Sequence, residues 1–212
     1  DGVGALTITG ASTHTGGTTV AAGTLDTAGG GTLADTGAIT VMRAATFNAN
    51  TADTVGVVSN SGTLNINANL QVAALINTGA SSATGQGVVN QSAMLTATAD
   101  GVRNDGQWNV LGAQTINTTT LSGNAEGMFT LNSAGDVLTV DQSGISTYAG
   151  GMQGAGALVK AGQGSLNFTG TSSLSGGTVD MASGRDTTLQ AAQVVADGAV
   201  NIQAGGNIKL QA

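Results

Sequence analysis

The stretch Gly2-Val3-Gly4-Ala5-Leu6-Thr7-Ile8-Thr9-Gly10 returns later as Gly162-Gln163-Gly164-Ser165-Leu166-Asn167-Phe168-Thr169-Gly170. Both copies run on into Gly-Gly-Thr, at Gly16-Gly17-Thr18 and at Gly176-Gly177-Thr178. A chain that quotes itself in this way is a repeat protein. The unit is a Gly turn, a short alternating strand of the form Leu-x-Ile or Leu-x-Phe, a second Gly turn and a further strand. Such a unit is too small to bury an apolar face alone, so it must stack on copies of itself.

The composition agrees. Glycine supplies 35 of the 212 residues and proline none, so turns fall to Gly, Asn, Asp and Ser. Proline removes a ladder hydrogen bond wherever it falls in a strand, and its absence suits a chain that is nearly all paired strand and tight turn. Hydrophobic residues at 40 % and a mean hydropathy of +0.17 exclude the disordered class, in which low hydrophobicity and high charge prevent a core.

Alternating segments between turn signals read as strands, among them Leu6 to Thr9, Ala38 to Val41, Thr63 to Asn67, Leu70 to Leu75, Gln114 to Leu121, Met128 to Leu131, Val137 to Val140, Ala157 to Lys160, Leu166 to Thr169, Ala199 to Gln203 and Asn207 to Leu210. No segment sustains a 3.6 period. Leu189 to Val195 admits a short helix, but its flanking Gly residues and Val194-Val195 favour strand. A second echo comprises Gly56-Val57-Val58-Ser59-Asn60-Ser61-Gly62, Gly87-Val88-Val89-Asn90-Gln91-Ser92-Ala93 and Gly101-Val102-Arg103-Asn104-Asp105-Gly106. Asn at such corners suits a left-handed turn, and in a stacked coil equivalent Asn side chains form ladders.

Hairpin sandwiches prefer Asn-Gly or Asp-Gly turns between longer strands, and only Asp105-Gly106 is well placed. The expected fold is therefore all-β, a right-handed parallel β-helix or solenoid. At about 20 residues per coil it has about ten coils, and at about 4.8 Å per rung it is a rod about 50 Å long. Residues 1–212 form one segment, with looser stretches at 42–56 and 76–86 where loops would leave the rod. Leu6 and Leu166 are separated by about eight such coils, which places them above one another on one face.

The run Gly154-Ala155-Gly156-Ala157-Leu158-Val159-Lys160-Ala161, continued through the second copy to Thr178, resembles the passenger-associated repeat of autotransporter proteins, as does the opening run that ends at Leu25. Gly184-Arg185-Asp186-Thr187-Thr188-Leu189-Gln190, and then Gly205-Gly206-Asn207-Ile208-Lys209-Leu210, resemble the filamentous-haemagglutinin repeats of two-partner secretion exoproteins. These resemblances imply a Gram-negative β-helix, secreted or displayed on the cell surface, that crosses the outer membrane unfolded through a β-barrel transporter. They also imply an interior segment of a longer exoprotein, since neither a secretion-domain motif nor a membrane barrel accompanies it. The absence of Cys suits such a passage.

The sequence offers little material for chemistry. Five basic residues against twelve acidic ones give a net charge of -7, which opposes nucleic-acid binding. The few aromatics, Phe47, Trp108, Phe129, Tyr148 and Phe168, are a poor basis for a large ligand pocket. His14 is the only histidine; without a nucleophile elbow it reads as a solvent-facing turn residue rather than a triad base. Asp136 with Asp141, and Asp100 with Asp105, are the nearest acidic pairs for a polysaccharide-cleaving site. Their odd spacing puts partners on opposite faces, so they read as solvated turn carboxylates. Gly29-Gly30-Gly31-Thr32-Leu33-Ala34-Asp35 fails as a calcium nonapeptide because Thr32 stands where Gly is needed. Gly184-Arg185-Asp186 is not the integrin-binding order. Thr115 with Thr118-Thr119-Thr120 lacks the fixed Thr-x-Thr period of an ice-binding plane.

No catalytic, metal or cofactor residue is therefore expected. The functional expectation is a non-enzymatic structural and adhesive rod that meets a cell-surface receptor or glycan. The alternatives are a filament subunit that stacks end to end and a polysaccharide-active enzyme.

Overall fold

The computed structural model describes the backbone of residues 2–81, 85–175, 179–183, 187–190, 194–196 and 199–211. The described chain is built of short strands without a helix, and the strands pair in parallel from one coil to the next. It is a parallel β-solenoid with three faces, of about eight turns.

Face 1 is a ten-stranded sheet that runs from Ala5–Ile8 through Gly23–Thr27, Ala45–Ala49, Thr63–Ile66, Val88–Gln91, Gln107–Val110, Met128–Leu131, Gly151–Gly154 and Ser172–Leu174 to Val194–Ala196. Its strands register Leu6 on Leu25, Leu25 on Phe47, Phe47 on Leu64, Leu64 on Val89, Val89 on Trp108, Trp108 on Phe129 and Phe129 on Met152. From Leu25 onward these residues are buried.

Faces 2 and 3 share a twelve-stranded sheet because some strands turn the corner between them. Leu70–Asn77 lays Leu70 to Val72 on Asp53–Val55 and Leu75 to Asn77 on Val58–Asn60. Leu95–Asn104 repeats the device with a break in register between Ala97 and Gly101. Thr98, Ala99 and Asp100 there oppose the single Ala73 and stand exposed at that corner. Further along, face 3 becomes a four-stranded sheet of Ile145–Tyr148, Ser165–Phe168, Thr187–Gln190 and Ile208–Gln211.

The two Gly-x-Gly-x-Leu copies do not share a face. Leu6 lies on face 1, whereas Leu166 registers on Ser146 in face 3. Unequal coil length is the reason: the step from Phe47 to Leu64 is much shorter than the step from Leu64 to Val89. The second motif thus arrives early, with Leu166 placed before the next face 1 position, Ser172, which registers on Met152. The offset is one face throughout. Thr18–Val20 of the first copy stacks into face 3 beneath Ile39–Val41, while Val179–Ser183 of the second stacks on Leu158 to Lys160 in face 2. The repeat is a strand–turn module that can be set on any face, not a module of one whole coil.

Other expectations divide. Residues 42–56 are regular: the Ala45 N–H donates to the Met42 carbonyl at 3.0 Å and closes one turn, and strands Ala45–Ala49 and Asp53–Val55 are joined by a short corner at Asn50, Thr51 and Ala52. Residues 78–81 and 85–87 do lie outside the strands, tied down where Thr78 Oγ1 donates to the carbonyls of Asn60 and Gly85. The corner Asn residues are not left-handed, since Ala44 is the described non-Gly residue with positive φ. Thr187–Gln190 and Val194–Ala196 are strands, whereas residues 191–193 lie outside the described residues.

A column of glycines marks the corner from face 3 into face 1. Gly62, Gly87, Gly106, Gly127, Gly150 and Gly170 stack so closely that an added Cβ at each would strike a backbone carbonyl of a neighbouring coil. Gly87, Gly106 and Gly127 also accept, through their carbonyls, the N–H of Gln107, Met128 and Gly151 in the following coil. Gly is required here because the backbones approach too closely for a side chain. Inside, the aromatic rings of Trp108, Phe129, Tyr148 and Phe168 stack in sequence with centroids 5.4, 5.3 and 5.7 Å apart. Each such pair adds about 0.5–1.5 kcal/mol beyond area burial. All five aromatics, Phe47 included, are core, so none remains outside to grip a flat ligand.

Candidate functional site

The solenoid uses its acidic corner residues for support. Asp136 is buried; its Oδ1 accepts from the N–H of Gly112 and its Oδ2 from that of Ser133, both at 2.8 Å. Asp105 is buried too, paired through Oδ2 with Arg103 Nε at 2.6 Å and accepting from Asn124 N–H through Oδ1. These carboxylates were expected in solvent. They are buried because corners leave backbone N–H groups without ladder partners, and a carboxylate satisfies two at once. Asp141 faces outward from Val137–Gln142, and Asp100 sits on the exposed bulge, so neither acidic pair is assembled as an acid–base couple.

Amide ladders carry the rest of the polar structure. Within the solenoid, Asn60 Nδ2 donates to Asn77 Oδ1 (2.9 Å), Asn77 Nδ2 to Asn104 Oδ1 (2.8 Å) and Asn104 Nδ2 to Tyr148 Oη (3.2 Å). All four are fully buried. Burial pushes the Tyr148 hydroxyl far above its ordinary range, so it stays protonated. On the outer side of face 1 a second ladder runs Asn109 to Asn90, Asn90 to Asn65 and Asn65 to Asn48 at 2.6–2.7 Å, and ends on the Asp26 carboxylate. A third joins Ser92, Asn67 and Asn50 at the corner from face 1 into face 2. The corner echo carried the signal for the inner ladder. The outer ladder was missed, although Thr46-Phe47-Asn48 and Thr63-Leu64-Asn65 share its alternation.

Just past that corner lies an open groove of about 410 Å³ on face 2, lined by Thr32, Asp35, Asp53, Thr54, Gln71 and Thr96, with Asn69 and Met94 at its edge. Thr54, Gln71 and Thr96 stand in register on three successive coils. Asp53 forms the floor, accepting from Leu33 N–H through Oδ2 and Thr54 N–H through Oδ1, each at 2.8 Å. Burial raises its carboxyl above the ordinary 3.8; the two N–H bonds oppose this and the nearby Asp35 charge adds to it. The groove was not anticipated, because its members come together only through the coil register.

His14 is exposed, with Nδ1 hydrogen-bonded to Ser12 Oγ and Nε2 at 2.9 Å from Thr18 Oγ1. No described carboxylate joins this chain, and the exposed turn position is the one expected. Thr118, Thr119 and Thr120 spend their hydroxyls on backbone carbonyls at a corner and so form no plane. Gly184, Arg185 and Asp186 lie outside the described residues. Among the described residues no cluster suited to a metal is present.

Lys160, the last residue of the strand expected over Ala157 to Lys160, is a buried cation. It is 2 % exposed, stacks on Val140, and its Nζ donates to the Ala161 carbonyl. The alternation placing it on the same side as Leu158 already carried that signal. Burial lowers its pKa below the ordinary 10.5, with Asp141 opposing. In the folded state the ammonium is disfavoured, so the destabilisation is complete below the lowered pKa and fades as pH rises towards 10.5. Lys160→Met should therefore raise the melting temperature by about 2–4 °C at pH 7, from about 1 kcal/mol of relieved desolvation. The gain should shrink in melts run at increasingly alkaline pH; a gain independent of pH would contradict the assignment.

Two stretches of the chain, residues 1–26 and 158–179, match the Passenger-associated-transport-repeat family. They are the two Gly-x-Gly-x-Leu modules that the structure sets one face apart, and the chain thus carries this repeat in a parallel β-solenoid. No curated protein and no solved structure matches the chain.

Proposed function

We propose that this chain is a rod segment of an autotransporter passenger, a non-enzymatic adhesive spacer displayed on or released from a Gram-negative cell. The observation that carries this reading is the passenger-associated repeat found twice within one parallel solenoid. In this reading the coil is right-handed with about ten turns, and an outer-membrane β-barrel is its partner during secretion. Backbone ladders on three faces, inner Asn and aromatic columns and the glycine corner all favour stiffness. A stiff rod holds a contact surface away from the cell. The engagement of acidic corner residues by backbone N–H groups supports a non-catalytic role, and the charge of -7 opposes nucleic acid as a partner.

Fusion of the chain upstream of an outer-membrane barrel tests the reading. Protease-accessible surface display and retention of the displaying cells on a host-cell layer are expected. Display without retention would remove the adhesive role, and failure of display would remove the passenger role.

A further inference from the structure

We infer that the face 2 groove is a binding site for a neutral saccharide, a proposal that rests on the adhesive reading and names its ligand class. The first ground is a contrast between neighbouring polar surfaces. On face 1 the outward amides are spent on one another, from Asn109 to Asp26. In the groove, the side chains of Asp35, Thr54, Gln71 and Thr96 bond to no described residue, though they converge in one concavity on consecutive coils. Fixed, unspent donors and acceptors are what a site for a hydroxyl-rich ligand requires.

The lining excludes other ligand chemistries. Among the described residues no Lys, Arg or His lines the groove and two carboxylates do, so a uronate, sulfated or phosphorylated ligand meets repulsion and no counter-charge. Among the described lining residues Met94 is the one exposed large apolar side chain, too little for an apolar ligand but suited to the C–H face of a sugar ring. A hard divalent cation needs about 6–8 oxygen ligands, whereas both Asp53 oxygens already accept backbone N–H bonds. That leaves Asp35 as the free carboxylate.

The groove is also preorganised. Asn69 Oδ1 accepts from Met94 N–H at 3.3 Å, and the Ser92–Asn67–Asn50 chain fixes the adjoining corner. A ligand therefore meets Thr54, Gln71 and Thr96 on stacked strands, which lowers the ordering cost of binding, while Asp35 reaches it from an exposed turn. Asp35 and Gln71 would take sugar hydroxyls as a charged acceptor and a two-way amide, with Thr54 and Thr96 extending the contact across coils.

The test uses the purified chain with short neutral oligosaccharides built from glucose, galactose, mannose or N-acetylglucosamine, alongside an oligouronide and calcium chloride alone. Titration followed by amide NMR should move the signals of residues 70–72 and 94–96 with at least one neutral sugar. The double variant Gln71→Ala, Thr96→Val should bind that sugar about ten-fold more weakly or less, with an unchanged melting temperature. No response to any neutral sugar, equal affinity in the double variant, a stronger response to the oligouronide, or the same shifts from calcium alone would each overturn the proposal. Binding by the free chain is independent of cell retention. Loss of retention with intact sugar binding thus strikes the rod reading alone, and retention without sugar binding strikes the groove alone.

Discussion

Gly106→Ala is expected to destabilise the solenoid by about 3 kcal/mol, a fall in melting temperature of about 6–10 °C for a chain of this size. Gly106 has no positive φ, so the cost is one of space and not of backbone strain. A Cβ there would lie 2.5 Å from the Thr78 carbonyl oxygen and 2.8 Å from Asn77 Nδ2, and closer still to the Gly87 carbonyl. Two of these are backbone atoms of stacked coils, and the third belongs to a buried ladder. None can withdraw without lengthening the bonds that tie the coils together, such as Gln107 N–H to Gly87 O at 3.0 Å. Because each coil is supported by its neighbours, the damage should be local first. Amide exchange should quicken at residues 87–107 before the ends of the rod respond. Gly135, where an added Cβ meets open space, is the control: Gly135→Ala should leave the melting temperature within about 1 °C. Equal losses at both positions would mean that close approach is not what selects glycine at the corner.

That corner also marks where sequence reading succeeds. Asn60 with Gly62 and Asn104 with Gly106 recur in one pattern, and each pair supplies one ladder rung and one close-packed turn. Local chemistry suffices to see this, since the partners are near neighbours in the chain. Strand alternation likewise revealed Leu64, Ile66, Leu158 and Leu166 as core. What failed was long-range phase. Leu6 and Leu166 carry the same local motif, yet the stretch between Asn77 and Val88 lengthens its coil, and such excess moves the second copy round by one face. The groove of Asp35, Asp53, Gln71 and Thr96 depends on that phase, and no local spacing encodes it. Asp105 and Asp136 failed for another reason: an acidic turn residue reads as solvated unless the orphan N–H groups it will serve can be located, and those come from Asn124 and Gly112 in the next and preceding coils.

The second large effect is expected at Asn77, and its measure is a comparison of like with like. Asn77 and Asn65 are both middle rungs of amide ladders, each accepting from one neighbour and donating to another. They differ in surroundings: Asn77 is fully buried and also donates to the Gln107 carbonyl, while Asn65 lies on the outer side of face 1. Asn77→Ala leaves one N–H of Asn60 Nδ2 without a partner where water does not reach, although the other still donates to the Val88 carbonyl, and takes one bond each from Asn104 Oδ1, which keeps the Gly106 N–H, and from the Gln107 carbonyl. The unpaired buried N–H costs about 1–3 kcal/mol and each of the other lost bonds about 1 kcal/mol, for a total of about 4 kcal/mol and a fall in melting temperature of about 8–15 °C. Asn65→Ala releases its neighbours to water, which replaces the lost bonds, and should cost less than about 1 kcal/mol. The ladders would then have separate roles, the inner one fixing the register of the coils that carry Asn60, Asn77 and Asn104, and the outer one smoothing a solvent face. Comparable losses in the two variants would show instead that the amide–amide bonds themselves, and not the desolvation of their partners, hold the rod together.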